Sequence, residues 1–196
     1  MVTVAAPLVA AQENAGNPHY APASDRSRPI RPNELLLLDL WGKVDKPGAV
    51  YADITWMGYS GEPPVPVAKA FGVIVAGRDA AIRKVQAAVS AGQAVHGWEV
   101  DRACRDVITQ AGFGDQFIHR TGHSLGEDVH GNGVHIDDYE THDDRRLLPG
   151  TGFTVEPGIY TSAFGMRTEI NMVVGEKSAE VTGPLQQTLV RIPSRP

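Results

Sequence analysis

The sequence has very little cysteine, since Cys104 is the only one in 196 residues. One cysteine cannot form an intrachain disulfide, which excludes the small secreted proteins that depend on disulfides. No apolar run approaches the roughly 20 residues of a membrane-spanning helix. Residues 1–16 also lack the basic segment and the long apolar segment of a secretory signal. We therefore expect a cytoplasmic protein that has no membrane partner.

The chain has no surplus of basic residues, because 18 Lys and Arg stand against 23 Asp and Glu. With a formal net charge of −5, we do not expect nucleic acid as a partner. Hydrophobic residues make up 42% of the chain and charged residues 21%, which is ordinary for a globular protein and disfavours a disordered one. A length of 196 residues is enough for one domain with a sizeable core.

Short apolar runs predict several β-strands. The run Leu35–Leu40 is continuous, which is typical of a strand covered on both faces. A turn at Pro47-Gly48 separates this run from residues 49–56, which we expect to be its hairpin partner. Further strands are expected near residues 2–10, 153–155, 166–174 and 189–192.

Two helices are predicted between these strands. Apolar residues recur roughly at helical spacing from Phe71 to Val89, after a proline-rich linker. A second helical pattern runs from Val100 to Ala111, and Gly112 stands where a glycine commonly ends a helix. Strands and helices alternate without regular βαβ spacing, so we expect an α+β fold with an antiparallel sheet.

Four acidic residues stand within or beside apolar runs: Asp39, Asp53, Glu156 and Glu169. An ionised carboxylate is costly to bury unless positive charge compensates it. Asp39 and Asp53 are 14 positions apart across one turn, so a hairpin could direct both into one cavity. The aspartates could instead be a turn former and an exposed strand residue. Each glutamate could be in a salt bridge, with Arg167 as a candidate partner.

Three histidines, His119, His123 and His130, lie within 12 positions in a glycine-rich segment. A lone histidine is more often a packed or surface residue than a ligand, but three together favour a ligand role. Two aspartates, two glutamates and one histidine suit a divalent cation such as Mn²⁺, Co²⁺ or Zn²⁺. Four carboxylates balance two such ions, and carboxylates can bridge them. The residues therefore predict a metal-dependent hydrolase.

Five short motifs together resemble those of the pita-bread metallopeptidases, which include Xaa-Pro aminopeptidase, prolidase and methionine aminopeptidase. In chain order the motifs are DLWG, ADIT, HRTGHSLGEDVH, FTVEPGIY and GMRTEI. The segments HRTGH and EPGIY are most similar to those of the proline-specific branch. The resemblance covers most of the chain and implies a curved antiparallel sheet backed by helices. It also implies two divalent ions, with Mn²⁺ expected first and Co²⁺ or Zn²⁺ as options.

The resemblance implies a role for each candidate site residue. The five metal ligands would be Asp39, Asp53, His123, Glu156 and Glu169. Asp53 and Glu169 would bridge the two ions, and Glu156 would also assist proton transfer from the attacking water. The other implied roles are catalytic for His130 and His19 and substrate-binding for His119, His130 and Arg167. Metal-activated hydroxide would attack the carbonyl before proline in small peptides that carry proline at the second position.

Two features depart from the family pattern. The spacing between Asp39 and Asp53 is longer by about one tight turn, which contains Lys46-Pro47-Gly48. A longer hairpin loop costs little, so both aspartates are retained as ligands. The chain also begins almost at the motif NPHY, without the first helices of the family's catalytic domain and without the separate N-terminal domain of proline-specific members. We therefore expect residues 1–196 to form one catalytic domain with an incomplete first half.

Several alternatives stay open. The chain could be a metal-free protein-binding module of the same fold, a metal-free hydrolase similar to creatinase, or an inactive fragment. It could also be an unrelated α+β protein whose acids form surface salt bridges. The first two classes usually lose ligand residues, whereas all five are present here. A homodimer is a further expectation from the family.

Overall fold

The computed structural model describes residues 1–25 and 27–193. Its helices are α1 (Val65–Ser90) and α2 (Gly97–Gln110). Its strands in chain order are β1 (Leu8–Ala11), β2 (Leu35–Gly42), β3 (Ala52–Ser60), β4 (Ser124–Leu125), β5 (Gly152–Val155), β6 (Gly158–Tyr160), β7 (Gly165–Arg167), β8 (Ile170–Val174), β9 (Ala179–Val181) and β10 (Val190–Ile192). Short 3-10 helices cover Gln12–Gly16 and Gly114–Gln116.

The strands form two four-stranded sheets and one two-stranded ribbon. The first sheet has the order β1-β2-β3-β10, the second has the order β4-β5-β8-β9, and β6 pairs with β7. The expected hairpin of β2 and β3 is confirmed, with antiparallel pairing. The expected antiparallel pairing is confirmed for the other strand pairs, and β10 is the exception, since it lies parallel to β3. β10 can lie parallel because it reaches β3 through a long connection that contains both helices.

Some predicted strands have other bounds in the structure. The expected strand near residues 2–10 is reduced to β1, together with one isolated bridge between Val2 and Lys43. The expected strand over 166–174 is interrupted at Thr168 and Glu169, which separate β7 from β8. The weak strand expected near 189–192 is present as β10.

The leucine run of β2 is covered on both faces over Leu35–Leu37, as expected, but not from Leu38 onward. Leu35 and Leu37 are buried, whereas Leu38 and Leu40 are 38% and 45% exposed. The run therefore alternates between core and surface toward its end, because a strand turns successive side chains to opposite faces. Only one face of this half of β2 packs against the core.

The two predicted helices are confirmed, and α1 begins earlier than expected, directly after Pro64 and with a proline in its first turn. Gly112 follows α2 with a φ of +88°, as expected for a glycine that ends a helix. Gly77 lets the helices approach closely, because a Cβ there would lie 3.1 Å from Cys104 Sγ. No helix in the described part of the chain is long and apolar enough to cross a membrane.

Candidate metal centre and catalytic cleft

The nine residues that the sequence singled out all line one cleft of about 350 Å³. The five predicted ligands come from separate parts of the chain. Asp39 lies on β2 and Asp53 on β3. His123 directly precedes β4, Glu156 directly follows β5, and Glu169 stands in the break between β7 and β8. The fold therefore brings together residues that are up to 130 positions apart.

The register of the β2–β3 hairpin places both aspartates on the same face. Asp39 lies opposite Thr55, and Asp53 lies opposite Trp41. Directly opposed residues share a face, and so do residues two apart on one strand, so both carboxylates point to the cleft. This confirms the geometric expectation from the turn between the two residues.

The most compact group consists of Asp53, His123 and Glu169, whose candidate ligand atoms all lie within 4.8 Å of one another. All three residues are buried. His123 Nε2 lies 3.6 Å from Asp53 Oδ2 and 3.5 Å from Glu156 Oε1. His123 Nδ1 lies 3.1 Å from the carbonyl oxygen of Ser124, to which it can donate. In the neutral ring this bond leaves Nε2 free to face a cation.

Asp53 is held by Asn171, a residue that the sequence did not single out. The backbone N–H of Asp53 donates to Asn171 Oδ1 at 3.0 Å, and Asn171 Nδ2 donates back to the Asp53 carbonyl oxygen. Asn171 lies on β8, so its amide connects the two sheets beside the ligand group. The backbone N–H of Glu169 also donates across this junction, to the carbonyl oxygen of Thr55 at 3.2 Å.

Threonine hydroxyls hold the two glutamates. Thr55 Oγ1 donates to Glu169 Oε2 at 2.7 Å, and Thr154 Oγ1 donates to Glu156 Oε1 at 3.1 Å. Thr154 Oγ1 also accepts the backbone N–H of His123 at 3.0 Å. The carboxylates of Glu156 and Glu169 are therefore aimed by side chains that are themselves fully buried.

Arg167 is buried, and its guanidinium is engaged by protein partners. It donates from Nη2 to Asp39 Oδ2 at 2.5 Å, from Nη1 to the Tyr160 hydroxyl at 2.9 Å and from Nε to Thr55 Oγ1 at 3.1 Å. The Tyr160 hydroxyl also lies 2.9 Å from His119 Nε2. Tyr160 therefore links His119 to the ligand group. The sequence reasoning missed it, although it ends the motif EPGIY.

The carboxylates repel one another in this buried setting. Burial raises the pKa of Asp39 to about 7, with Arg167 opposing the shift and Asp53 adding to it. Burial and then the charges of Glu156 and Asp53 raise the pKa of Glu169 well above its usual range. Burial opposes ionisation of Glu156 too, but nearby positive charge, first that of His123, outweighs it and lowers its pKa. The protein alone thus supplies too little positive charge for four ionised acids.

Two buried carboxylate oxygens, Asp39 Oδ1 and Asp53 Oδ1, have no hydrogen-bond partner in the described residues. An unpartnered buried carboxylate oxygen is costly, and a bound cation is a common way to satisfy it. Carboxylate oxygens with one imidazole nitrogen also form a donor set that suits divalent cations. The residues therefore fit a divalent metal ion.

The outer part of the cleft carries further histidines. The ring of His130 stands perpendicular to that of His123, with centroids 4.3 Å apart, and His130 is exposed. His19 is exposed at the rim. Burial lowers the pKa of both His119 and His130, which favours neutral rings. The cleft is thus acidic at its base, and the imidazoles of His130 and His19 lie nearer its opening.

Arg120 and Glu140 also line the cleft, and the sequence reasoning did not assign them. The backbone N–H of Arg120 donates to Glu140 Oε1 at 3.1 Å, and Arg120 Nη1 lies 3.8 Å from Glu140 Oε2. Arg120 stands in the motif HRTGH beside His119, which was the available signal. Glu140 lies in the acidic segment of residues 135–146.

The α+β fold gathers four acids and a histidine at the junction of its two sheets, a donor set that suits divalent cations. The sequence matches the profile of metallopeptidase family M24, Peptidase_M24, over residues 3–176. The chain therefore belongs to metallopeptidase family M24.

Relatives named as dipeptidases support this assignment. The chain is 31% identical over 191 residues to the probable dipeptidase PepE of Mycobacterium tuberculosis, covering 97% of this chain and 47% of that protein. It is 33% identical over 189 residues to the Xaa-Pro dipeptidase of Lactobacillus helveticus, covering 96% of this chain and 47% of that protein. The chain thus spans about half the length of the curated relatives it matches.

Solved structures support the same family assignment. The dipeptidase PepE of Mycobacterium ulcerans superposes with a TM-score of 0.84 at 29% identity, covering 96% of this chain and 47% of that one. A dipeptidase of Pyrococcus horikoshii OT3 superposes with a TM-score of 0.79 at 33% identity, covering 95% of this chain and 48% of that one. The expected pita-bread fold and the resemblance to the prolidase branch are confirmed.

Proposed function

We propose that this chain carries the catalytic centre of a dinuclear-metal-dependent peptidase, which hydrolyses the bond between an N-terminal residue and proline. The observation that supports it most is the convergence of five acidic and imidazole side chains with two unpartnered carboxylate oxygens. The substrates would be small peptides with proline at the second position. The relative named an Xaa-Pro dipeptidase supports this choice over other peptides.

Two divalent ions would be held by Asp39, Asp53, His123, Glu156 and Glu169. We expect Mn²⁺ first, with Co²⁺ or Zn²⁺ as alternatives, because these donors suit all three. Bound ions of this kind lower the pKa of a water molecule and polarise a carbonyl oxygen.

Glu156 is the proposed general base. Its lowered pKa keeps the carboxylate ionised near neutral pH, and its Oε1 is aimed by Thr154. The carboxylate would take a proton from the attacking water as the new C–O bond forms. It would then return that proton to the proline nitrogen as the C–N bond breaks. Proline requires this proton because the nitrogen otherwise leaves as an anion.

The histidines of the cleft would act on the substrate. His130 can donate to the oxygen of the scissile carbonyl, and His119 lies deeper, against Tyr160. His19 at the rim is proposed to assist substrate binding and proton movement. The predicted substrate-binding role of Arg167 is less well supported, because its donors go to protein partners. We therefore propose that Arg167 chiefly positions Asp39.

We also propose that residues 1–196 form one catalytic domain, since one hydrophobic core cluster extends through both helices and both sheets. A cytoplasmic location and a homodimer stay predictions. Sedimentation of the purified chain measures directly whether it is a homodimer.

The test is hydrolysis by the purified chain, stripped of metal and then titrated with Mn²⁺, Co²⁺ or Zn²⁺. The substrates are an Xaa-Pro dipeptide, a longer Xaa-Pro peptide and the same peptides with alanine in place of proline. Asp53→Asn and Glu156→Gln should abolish activity, whereas Asp144→Asn, at an exposed acid, should not. Equal hydrolysis of the alanine peptides would contradict proline specificity. Turnover without added metal would contradict the metal mechanism.

One observation favours a second candidate, a metal-free binding module. Arg167 already neutralises Asp39 Oδ2, as a site without metal would require. Calorimetric titration separates the two candidates, because the peptidase requires about two ions per chain and the module requires none.

A further inference from the structure

The connection between β2 and β3 contacts the loop that carries His130. We call residues 43–51 the hairpin loop and residues 126–131 the His130 loop. Val129 and His130 of the latter line the cleft. The hairpin loop contains the turn at Lys46-Pro47-Gly48 that separates Asp39 from Asp53. This feature of the chain therefore lies beside the opening of the candidate active site.

Three hydrogen bonds connect the two loops. Tyr51 donates its backbone N–H to the carbonyl oxygen of Gly126 at 3.0 Å. Lys43 Nζ donates to the carbonyl oxygen of Glu127 at 2.6 Å. The backbone N–H of Gly48 donates to Glu127 Oε2 at 3.3 Å. Glu127 is therefore bound at both its backbone and its side chain.

The hairpin loop is itself anchored. Ala49 and Tyr51 are each only 5% exposed, although their neighbour Val50 is 57% exposed. Gly48 has a φ of +73°, which glycine adopts without strain, and its N–H meets Glu127 in this conformation. Lys43 Nζ also lies 5.0 Å from the centroid of the Tyr51 ring. The hairpin loop thus presents a fixed contact surface to the His130 loop.

The His130 loop has few bonds of its own between its ends. Gly131 N–H donates to the carbonyl oxygen of Ser124 at 2.8 Å, and Gly126 N–H donates to that of Asp128 at 3.1 Å. The three bonds from the hairpin loop therefore add contacts to this segment that the His130 loop does not supply itself.

We propose that the hairpin loop positions the His130 loop, with Lys43 and Glu127 as positioning residues that hold His130 beside His123. Neither residue need touch the substrate. The benefit to catalysis rests on the proposed function, in which His130 acts at the scissile bond. The structural part, which concerns where the His130 ring stands, does not depend on any activity.

The experiment compares Glu127→Ala and Lys43→Met with the conservative variants Glu127→Gln and Lys43→Arg. Asp128→Ala is the matched control, since Asp128 is an exposed acid in the same loop. The readouts, taken on the metal-free chain, are amide hydrogen exchange over 126–131 and the nuclear Overhauser effect between the rings of His123 and His130. The steady-state kcat and KM for an Xaa-Pro dipeptide follow with metal.

Loss of one such bond should raise exchange in the His130 loop about three- to tenfold in the Ala and Met variants. The ring contact should weaken, while exchange in α1 and α2 stays unchanged. The Gln and Arg variants should stay close to the parent, because each keeps the required acceptor or donor. In an active enzyme kcat should fall with little change in KM.

Unchanged exchange and an unchanged ring contact in both Ala and Met variants would overturn the proposal. A rise in exchange with normal kcat would overturn the catalytic part. If the parent hydrolyses no peptide, the proposed function fails, and the exchange and ring measurements still decide whether the loops are coupled. A rise in amide exchange throughout the chain would indicate that the variant is misfolded. The variant at the other residue, Lys43 or Glu127, then tests the proposal.

Discussion

Replacing Asn171 should weaken both the fold and the metal centre, because one side chain holds both backbone groups of Asp53. Asn171→Ala removes two hydrogen bonds, each worth about 0.5–1.5 kcal/mol in net stability. Asp53 is only 6% exposed, so water cannot readily replace them. We therefore expect the free energy of unfolding to fall by about 2–3 kcal/mol. Urea unfolding in the presence of a chelator measures this loss without a contribution from metal.

The same substitution should also lower metal affinity. Residues that orient a ligand commonly change affinity by about 10–100-fold when they are removed. Calorimetric titration with Mn²⁺ should show a loss of that size, with Asn132→Ala, at an exposed asparagine, as the control. Asn171→Asp keeps the acceptor for the Asp53 N–H but sets a carboxylate against the Asp53 carbonyl, so we expect at least an equal loss of stability. A change below about 0.5 kcal/mol in Asn171→Ala, with unchanged affinity, would refute the reasoning.

Three further predictions concern stability. Asp39 should remove up to about 4 kcal/mol of stability from the metal-free chain as pH rises from about 4 to 7, because its folded-state pKa, about 7, lies above the unfolded value. Urea unfolding of the parent and of Asp39→Asn across pH measures this contribution, and the same pH dependence in both would contradict it. Tyr160→Phe should cost about 1–2 kcal/mol, since it removes a partner from buried Arg167, and an unchanged unfolding midpoint would count against it. Gly97→Ala should destabilise the fold by more than about 2 kcal/mol, since its Cβ would lie 1.9 Å from the carbonyl oxygen of His135. Gly72→Ala, with open space around it in α1, should instead stabilise the fold by about 0.5–1 kcal/mol. Thermal unfolding compares the two variants, and equal effects would refute the packing argument.

Local patterns in the sequence predict much of this fold. Helical spacing and Gly112 locate α2, and the turn at Pro47-Gly48 predicts the hairpin that pairs Asp39 and Asp53 on one face. These features depend on residues near one another in the chain. Motif similarity then supplied the candidate site, and the structure places all of its members around one cleft.

Contacts between distant segments could not be predicted in the same way. Asn171 occupies a strand position that resembles any polar strand residue, and only the pairing of the two sheets brings it to Asp53. The parallel placement of β10 depends on where the helices direct the chain. The exposure of Leu38 and Leu40 likewise depends on which side of β2 the core occupies. Each of these features is tertiary, and local propensity carries no information about it.

The parallel pairing of β10 with β3 also determines when the first sheet is completed during synthesis. β3 ends at Ser60 and β10 begins at Val190. A ribosome that adds about 5–20 residues per second needs roughly 7–26 s to make the intervening chain. Throughout that time the outer edge of β3 has open backbone donors and acceptors, which other extended chains can pair with. Until β10 has been made, residues 58–60 at this edge therefore lack their partner strand and are open to pairing with other unfinished chains.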